Sequence, residues 1–228
     1  MEVISIIIPA YNEKDIIGIT INSLKSLEGV GEIIVINDGS LDDTGEVAAK
    51  YGARVINLEK NQGKAGAVVE GASRAKYELV ALIDADLGDS AREAGKLFGP
   101  LFSREADMVI ASFSRESAGG GFGLVRKLSC LFIKTVTGRE IKSPLSGQRA
   151  LKKKILLEGA TKTRGFGLEF GLTLQALKDG CRVKEIVTNM NHRHYGKNLE
   201  GFLHRGRQLK DILKTLFLVT IPSKKQVK

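Results

Sequence analysis

The chain has 228 residues, 43% hydrophobic and 27% charged, a balance that suits an ordinary globular domain and excludes a disordered or fibrous protein. Its net charge of +9 is unevenly spread, with 11 Lys/Arg against 18 Asp/Glu in residues 1–112 and 24 against 8 in residues 113–228. An acidic half followed by a strongly basic one argues against a uniformly basic nucleic-acid coat and points to an anionic ligand over the second half and a cation near the first. Cys130 and Cys181 have no paired spacing, so neither a disulfide framework nor a zinc site is indicated and a reducing compartment is expected. Residues 3–8 are too short and lack the basic flank of a signal peptide, and residues 212–221, interrupted by Lys214, fall short of the roughly 20 residues that span a bilayer. The expected location is the cytoplasm, with peripheral membrane contact as the alternative.

In chain order, short β-branched runs alternate with helical stretches, the pattern of βαβ units and a largely parallel sheet. Strands are predicted at 3–8, 32–37, 53–58, 78–83 and 107–112, and helices at 15–27, from the 38–44 turn to about 51, at 64–76 and at 90–102. After residue 112 the alternation breaks down. A loop over 114–123 leads to a helix at 124–137, a short strand at 147–151, a helix at 166–178 and a strand at 181–188. A basic loop at 189–198, a closing helix at about 199–217 and a Lys-rich tail complete the chain. No Pro/Ser-rich linker falls near 113, so the two parts read as lobes sharing one core.

In an open parallel sheet, ligands bind beyond the carboxyl ends of the strands, and four polar segments fall there. They are Pro9–Glu13, Asp38–Thr44, Asn61–Gly66 and Asp84–Asp86. A carboxylate after a strand is commonly a helix N-cap, and Asp42, Asp43 and Thr44 have that character. Asp84-Ala85-Asp86 is sharper, because one strand delivers two carboxylates to one loop, where they repel unless a cation is shared. Mg²⁺ or Mn²⁺ takes such oxygens together with substrate phosphates. Gly63 and Lys64 open a helix whose exposed N–H groups suit a phosphate. Neither a P-loop nor a Gly-x-Gly-x-x-Gly fingerprint is present, which disfavours a P-loop NTPase and a dehydrogenase.

The ordered series Ile8-Pro-Ala-Tyr-Asn-Glu13, Asn37-Asp-Gly-Ser-Leu-Asp-Asp-Thr44, Asn61-Gln-Gly-Lys-Ala-Gly66 and Asp84-Ala-Asp86 resembles the family 2-type glycosyltransferases with the GT-A fold. The resemblance implies an α/β, Rossmann-like, mostly parallel sheet flanked by helices, with a nucleotide-sugar-binding lobe at 1–112 and an acceptor-binding lobe at 113–228. It implies that Pro9, Ala10, Tyr11 and Glu13 contact base and ribose, that Asp38 reads the base, and that Gly63 and Lys64 flank the nucleotide. By the same resemblance Asp84, Ala85 and Asp86 position the UDP- or GDP-linked sugar, and Asp86 holds the metal.

In the second half, Ser143-Pro-Leu-Ser-Gly-Gln-Arg149 and Gly165-Phe-Gly-Leu-Glu169 occupy the places of acceptor-loop and helix-start motifs, which makes Ser146, Gly147, Gln148 and Arg149 acceptor-binding candidates. Two subgroups compete. Pro144–Gln148, the segment from Gly165 and His194 resemble glucosyl-3-phosphoglycerate synthases, in which a His joins the second Asp on the metal, with His192 as the fallback ligand here. Ser146-Gly-Gln-Arg149 and the small size also resemble polyprenyl-phosphate sugar synthases of the dolichol-phosphate-mannose type.

Read without the resemblance, His194 is a solvated loop residue, and Glu169 is a carboxylate that suits the first turn of a helix. With it, Glu169 is a catalytic candidate, as general base or sugar-positioning carboxylate. Arg149, Arg164, Arg193, Arg205 and Arg207 suit phosphate or carboxylate recognition, whereas Lys152-Lys-Lys154 reads as a solvated face. The apolar stripe of the closing helix reads as core packing, with membrane insertion as the alternative, and Gly119-Gly-Gly121 as a donor-closing loop or plain flexibility. The expected function is metal-dependent sugar transfer to a small phosphorylated acceptor. The rivals are polyprenyl-phosphate transfer at a membrane surface and a non-catalytic nucleotide-binding module. Nucleic-acid binding is not expected, because the basic half lacks interleaved aromatics.

Overall fold

Seven strands form one sheet in the order β3-β2-β1-β4-β6-β5-β7. The structure, a computed structural model, describes residues 2–113, 123–160 and 167–191. In chain order the elements are β1 (Ile4–Ala10), α1 (Ile17–Lys25), β2 (Val30–Asn37), α2 (Thr44–Lys50), β3 (Arg54–Asn57), α3 (Gly63–Arg74) and β4 (Leu79–Leu82). A run of 3₁₀ turns over Ala85–Ala94 leads into α4 (Gly95–Phe102) and β5 (Met108–Phe113). Then come α5 (Gly123–Thr137), β6 (Arg149–Lys152), α6 (Lys153–Ala160), α7 (Leu168–Lys178) and β7 (Val183–Thr188). All neighbours are parallel except β6, which runs antiparallel to both β4 and β5.

The apolar runs fill both faces of the sheet, as strands buried on two sides require. Ile4, Ile6 and Ile8 of β1 pack with Ile17, Ile21 and Leu24 of α1 and Leu97 and Leu101 of α4. Ile7, Ile34 and Ile36 point the other way, toward Ala67, Val68 and Ala72 of α3 and Phe170, Leu172 and Leu174 of α7. Each buried Ile or Leu contributes about 1.5–3 kcal/mol relative to its exposed state, so this alternation fixes register. Gly71 lets α3 lie close on β1, because a Cβ there would strike Ile7 and press on Ile36. That approach holds the start of α3 beside the ends of β1 and β2.

Two predicted elements come out differently, and one element was not predicted. β1 continues to Ala10, past the predicted end, with Pro9 paired opposite Ile36. Ile7 O accepts from Ile83 N–H and Ala10 O from Asp38 N–H, so alternation turns the ring nitrogen of Pro9 toward β4, which has already ended. The predicted helix at 90–102 starts as 3₁₀ turns, which run to Ala94 before α4 takes over, and Gly88, at φ 53°, ψ −135°, kinks the chain just ahead of it. α6 was not predicted. Of the lysines read as a solvated face, Lys152, paired with Asp107, and Lys154, paired with Glu158, are exposed, whereas Lys153 is largely covered beside Glu78. Gly119–Gly121, Arg164, Arg193, Arg205, Arg207 and the closing helix lie outside the described residues.

Candidate functional site

The loops that follow β1, β2 and β3 are laced together by short polar side chains. Asn12, held at φ 56°, donates its N–H to Ser40 Oγ at 3.0 Å, and its Oδ1 accepts from Leu41 N–H at 2.8 Å. Glu13 N–H donates to Thr44 Oγ1 at 2.8 Å. Asp42 accepts from Thr44 and Lys14 N–H; these bonds outweigh its desolvation and hold the carboxyl below its ordinary value. The capping expectation is met by Asp42 on Thr44 N–H, while Asp43 makes no side-chain cap bond. Asp38 is buried, and its Oδ1 accepts the N–H of Gln62, the residue before α3, at 2.7 Å. Gly39, at φ 69°, leaves room for the Lys60–Asn61 backbone to pass. Pro9, Ala10, Tyr11, Glu13, Asp38 and Gly63 thus border one polar rim, on which the Tyr11 ring is 45% exposed.

Beyond that rim lies a half-buried ionic cluster that joins both halves of the chain. Lys64 Nζ stands 2.8 Å from Asp84 Oδ1 and 3.0 Å from Oε1 of Glu169, in the first turn of α7. Burial by itself would push the Lys64 ammonium down, but the two carboxylates more than offset it and hold it above its ordinary value. Gln148 clasps Asp84 twice: its Oε1 accepts the Asp84 N–H at 2.9 Å and its Nε2 donates to Oδ2 at 2.6 Å. Gly147 leaves room for this pair, since a Cβ there would sit 2.7 Å from Lys64 Nζ and 2.9 Å from Asp84 Oδ2 and would push them aside.

Arg149, at the start of β6, is fully buried. It donates to the carbonyls of Glu169 and Ser146 and to Thr173 Oγ1, and Thr173 in turn donates to Glu169 O. Burial pushes the guanidinium down to about 10, opposed by Glu169 and Asp84, so it remains a cation at neutral pH. Ser146, Gly147, Gln148 and Arg149, considered as acceptor contacts in the sequence, are therefore gathered against Asp84 and Glu169, with Gln148 and Arg149 wholly enclosed. The loop that carries them is fastened by Glu185, whose carboxylate accepts from the N–H groups of Lys142 and Ser143.

The turn after β4 is held from α1. Thr20, fully buried, donates its hydroxyl to Ala85 O at 2.7 Å and accepts from Gly88 N–H at 2.9 Å. Asp86 lies between those anchors and is half-buried. Ser90, in the same 3₁₀ run, exchanges hydrogen bonds with the backbone of Asn191, and Glu93 accepts from Asn189 N–H. The chain is thus moored beside the Asp86 turn immediately before His192 and His194, which lie outside the described residues. Among the described residues no group of three or more His, Cys, Asp or Glu side chains could hold a metal ion. Nor is any described helix long and apolar enough to cross a membrane. Sequence reasoning missed Thr20 and Glu185; a Thr in an otherwise apolar helix face was the only signal for the first.

Comparison with known proteins agrees with the geometry. A family model described as glycosyl transferase family 2 matches residues 5–160. An uncharacterized protein of Methanocaldococcus jannaschii is 29% identical over 204 residues, covering 84% of this chain and 83% of that protein. A glucosyl-3-phosphoglycerate synthase of Mycolicibacterium paratuberculosis is 32% identical over 193 residues, covering 74% of this chain but 58% of the synthase. The crystal structure of glucosyl-3-phosphoglycerate synthase from Mycobacterium tuberculosis in complex with Mn²⁺, uridine diphosphate and glucosyl-3-phosphoglycerate matches with TM-score 0.76 at 25% identity, covering 98% of this chain and 82% of that one. The α/β sheet, the ordered strand-end motifs and these matches together place the chain in the glycosyl transferase 2 family, as a glycosyltransferase of the GT-A fold.

Proposed function

We propose that this glycosyltransferase moves a sugar from a nucleoside diphosphate to a small phosphorylated acceptor, in the manner of the glucosyl-3-phosphoglycerate synthases. The observation that carries the reading is the convergence of Asp84, Lys64 and Glu169 from three elements, next to the polar rim at the carboxyl ends of the strands. In this reading residues 1–112 receive the donor, with the exposed Tyr11 ring against the base and Asp38 beside it, and residues 113–228 receive the acceptor. The M. tuberculosis synthase has been crystallised with Mn²⁺, UDP-glucose and phosphoglyceric acid, which supports a UDP-linked donor and a phosphorylated acceptor here.

The donor set fits a hard divalent cation. Asp84 is tied to Lys64 and Gln148, and by the family resemblance Asp86 is the carboxylate assigned to the metal. By the same resemblance His194, or His192, is the further ligand. A bound Mg²⁺ or Mn²⁺ supplies charge neutralisation to the departing diphosphate. Lys64 adds a second positive charge on the same side, and Asp84 and Glu169 accept hydrogen bonds from sugar hydroxyls to orient the ring. The bond from the anomeric carbon to the diphosphate oxygen breaks, a bond to the acceptor hydroxyl oxygen forms, and the hydroxyl proton passes to the departing diphosphate oxygen, so that the nucleoside diphosphate leaves with the electron pair of the broken bond. Glu169 serves best as a positioning carboxylate, since acting as a base requires it to give up Lys64.

The test is a panel of UDP- and GDP-sugars with Mn²⁺, offered 3-phosphoglycerate, glycerol 3-phosphate or vesicles containing polyprenyl phosphate. Transfer to a soluble phosphate ester, lowered about a thousandfold in Asp86→Ala with an unchanged circular dichroism spectrum, is expected. Transfer to the vesicles alone, or wild-type turnover in that variant, overturns the reading.

A further inference from the structure

We propose that Thr20 is a positioning residue for Asp86: its single hydroxyl closes both ends of the turn that presents the metal-holding carboxylate. The inference rests on the assignment of the divalent cation to Asp86 made above.

A Thr inside a helix ordinarily turns its hydroxyl back to the carbonyl four residues earlier. In α1 that carbonyl, of Ile16, accepts the backbone N–H of Thr20, while the hydroxyl reaches out of the helix to a segment 65 and 68 residues away in sequence. It donates to Ala85 O and accepts from Gly88 N–H, so its one proton and one of its lone pairs are both committed. Only Asp86 and Leu87 lie between the two anchors. Leu87 is buried in the core shared with α1, which fixes the turn from below, and Asp86 keeps its side chain half-buried on the other side. Gly88, at φ 53°, ψ −135°, a conformation that suits glycine, redirects the chain immediately after the N–H that meets this hydroxyl.

Packing alone does not ask for a hydroxyl here. Thr20 is fully buried on a helix face it shares with Ile17, Gly18, Ile21, Ser23 and Leu24, where Val has a similar shape and no polar atom to satisfy. What a hydroxyl adds at this point is a fixed distance between the Ala85 carbonyl and the Gly88 amide. A carboxylate that must meet a metal ion within a few tenths of an ångström depends on such outer partners, whose loss typically costs about 10–100-fold in metal affinity.

The experiment compares wild type, Thr20→Val, Thr20→Ser and Asp86→Asn, titrating Mn²⁺ in the presence of UDP and following free Mn²⁺ by its electron paramagnetic resonance signal. Thr20→Val is expected to weaken Mn²⁺ binding about tenfold or more, while Thr20→Ser, which keeps the hydroxyl, stays close to wild type. UDP affinity without metal is expected to be the same in wild type, Thr20→Val and Thr20→Ser. Should Thr20→Val not fold, Thr20→Cys, of similar size with a much weaker hydrogen-bonding group, takes its place. Unchanged Mn²⁺ affinity in Thr20→Val, with only a lower melting temperature, makes Thr20 a structural residue and overturns the proposal. If Asp86→Asn also binds Mn²⁺ as wild type does, the metal assignment itself has failed, which is a separate result.

Discussion

At the amino ends of the strands, Asp107 receives Arg182 at 3.0 Å and Lys152 at 2.7 Å, together with the Arg182 backbone N–H. At the carboxyl ends of the same sheet, Lys64 is shared by Asp84 and Glu169, with Arg149 buried behind them. The first cluster is one sheltered anion with two cations whose side chains are more than half exposed. The second has two anions against two cations, and its charges are held by groups that cannot easily retreat into water. Where ions serve only to close a sheet, the flexible cations stay outside and little is desolvated. Where they gather at the ends of parallel strands, the protein desolvates charge and then balances it, which makes sense for a place that must receive a charged ligand.

Substitutions can break this contrast, and the expected effects fall in order. Arg149→Met should cost about 3 kcal/mol or more in a urea titration, because it strips a fully buried cation from Glu169 and Asp84 and removes the donor to the Ser146 carbonyl and one of the donors to the Glu169 carbonyl. Lys64→Met should lower kcat/KM for the proposed transfer about a hundredfold, with a much smaller change in melting temperature. Equal losses in activity and in folded fraction would make the site cluster as structural as the other one.

Asp107→Asn should cost about 1–3 kcal/mol near neutral pH and leave kcat untouched. Its pH signature is distinctive. Hydrogen bonds from Arg182 and Lys152 hold the Asp107 carboxyl below the usual carboxylate range despite its burial. A carboxylate depressed in the folded state stabilises above its unfolded value, about 3.9, and loses that contribution as pH falls toward the folded one. The gap between wild type and Asp107→Asn should therefore be level above about pH 5 and narrow below about pH 4. A gap that narrows instead toward alkaline pH contradicts the assignment. Lys64 behaves oppositely: a raised ammonium keeps its contribution at every pH below about 10.5, so it adds no titration near neutrality. Least of all, Glu70→Gln at the exposed Glu70–Arg74 pair should shift stability by no more than about 0.5 kcal/mol.

The first half of the sheet was legible because each strand is a short β-branched run followed by a helix of its own, so local pattern and tertiary position agree. The strand-end motifs were legible for the same reason. The partner of Lys64 was not. That ammonium reads locally as a helix-start phosphate contact, and its pairing with Glu169 depends on α7 returning to the carboxyl end of the sheet from more than a hundred residues away. Arg149 looked like a surface phosphate ligand because Arg is seldom buried. It is enclosed here because β6 enters the middle of the sheet with α7 laid across it. The kink at Gly88 escaped notice because a glycine within an otherwise helical stretch carries no mark of its φ.

The antiparallel strand has a further consequence for how the chain reaches its native state. β5 belongs to the first half in sequence, yet its only strand partners are β6 and β7, both from the second. A chain emerging from the ribosome can pair β1, β2, β3 and β4 as they appear, but β5 has nowhere to dock until residues 149–152 fill the gap beside β4. A fragment ending at residue 113 would carry an orphan strand and an open edge on β4, and should associate with itself rather than fold as a small nucleotide-binding unit. The joint that admits β5 to the sheet is also the one that brings Gln148 and Arg149 to Asp84, so the protein cannot complete its framework without assembling this part of the site.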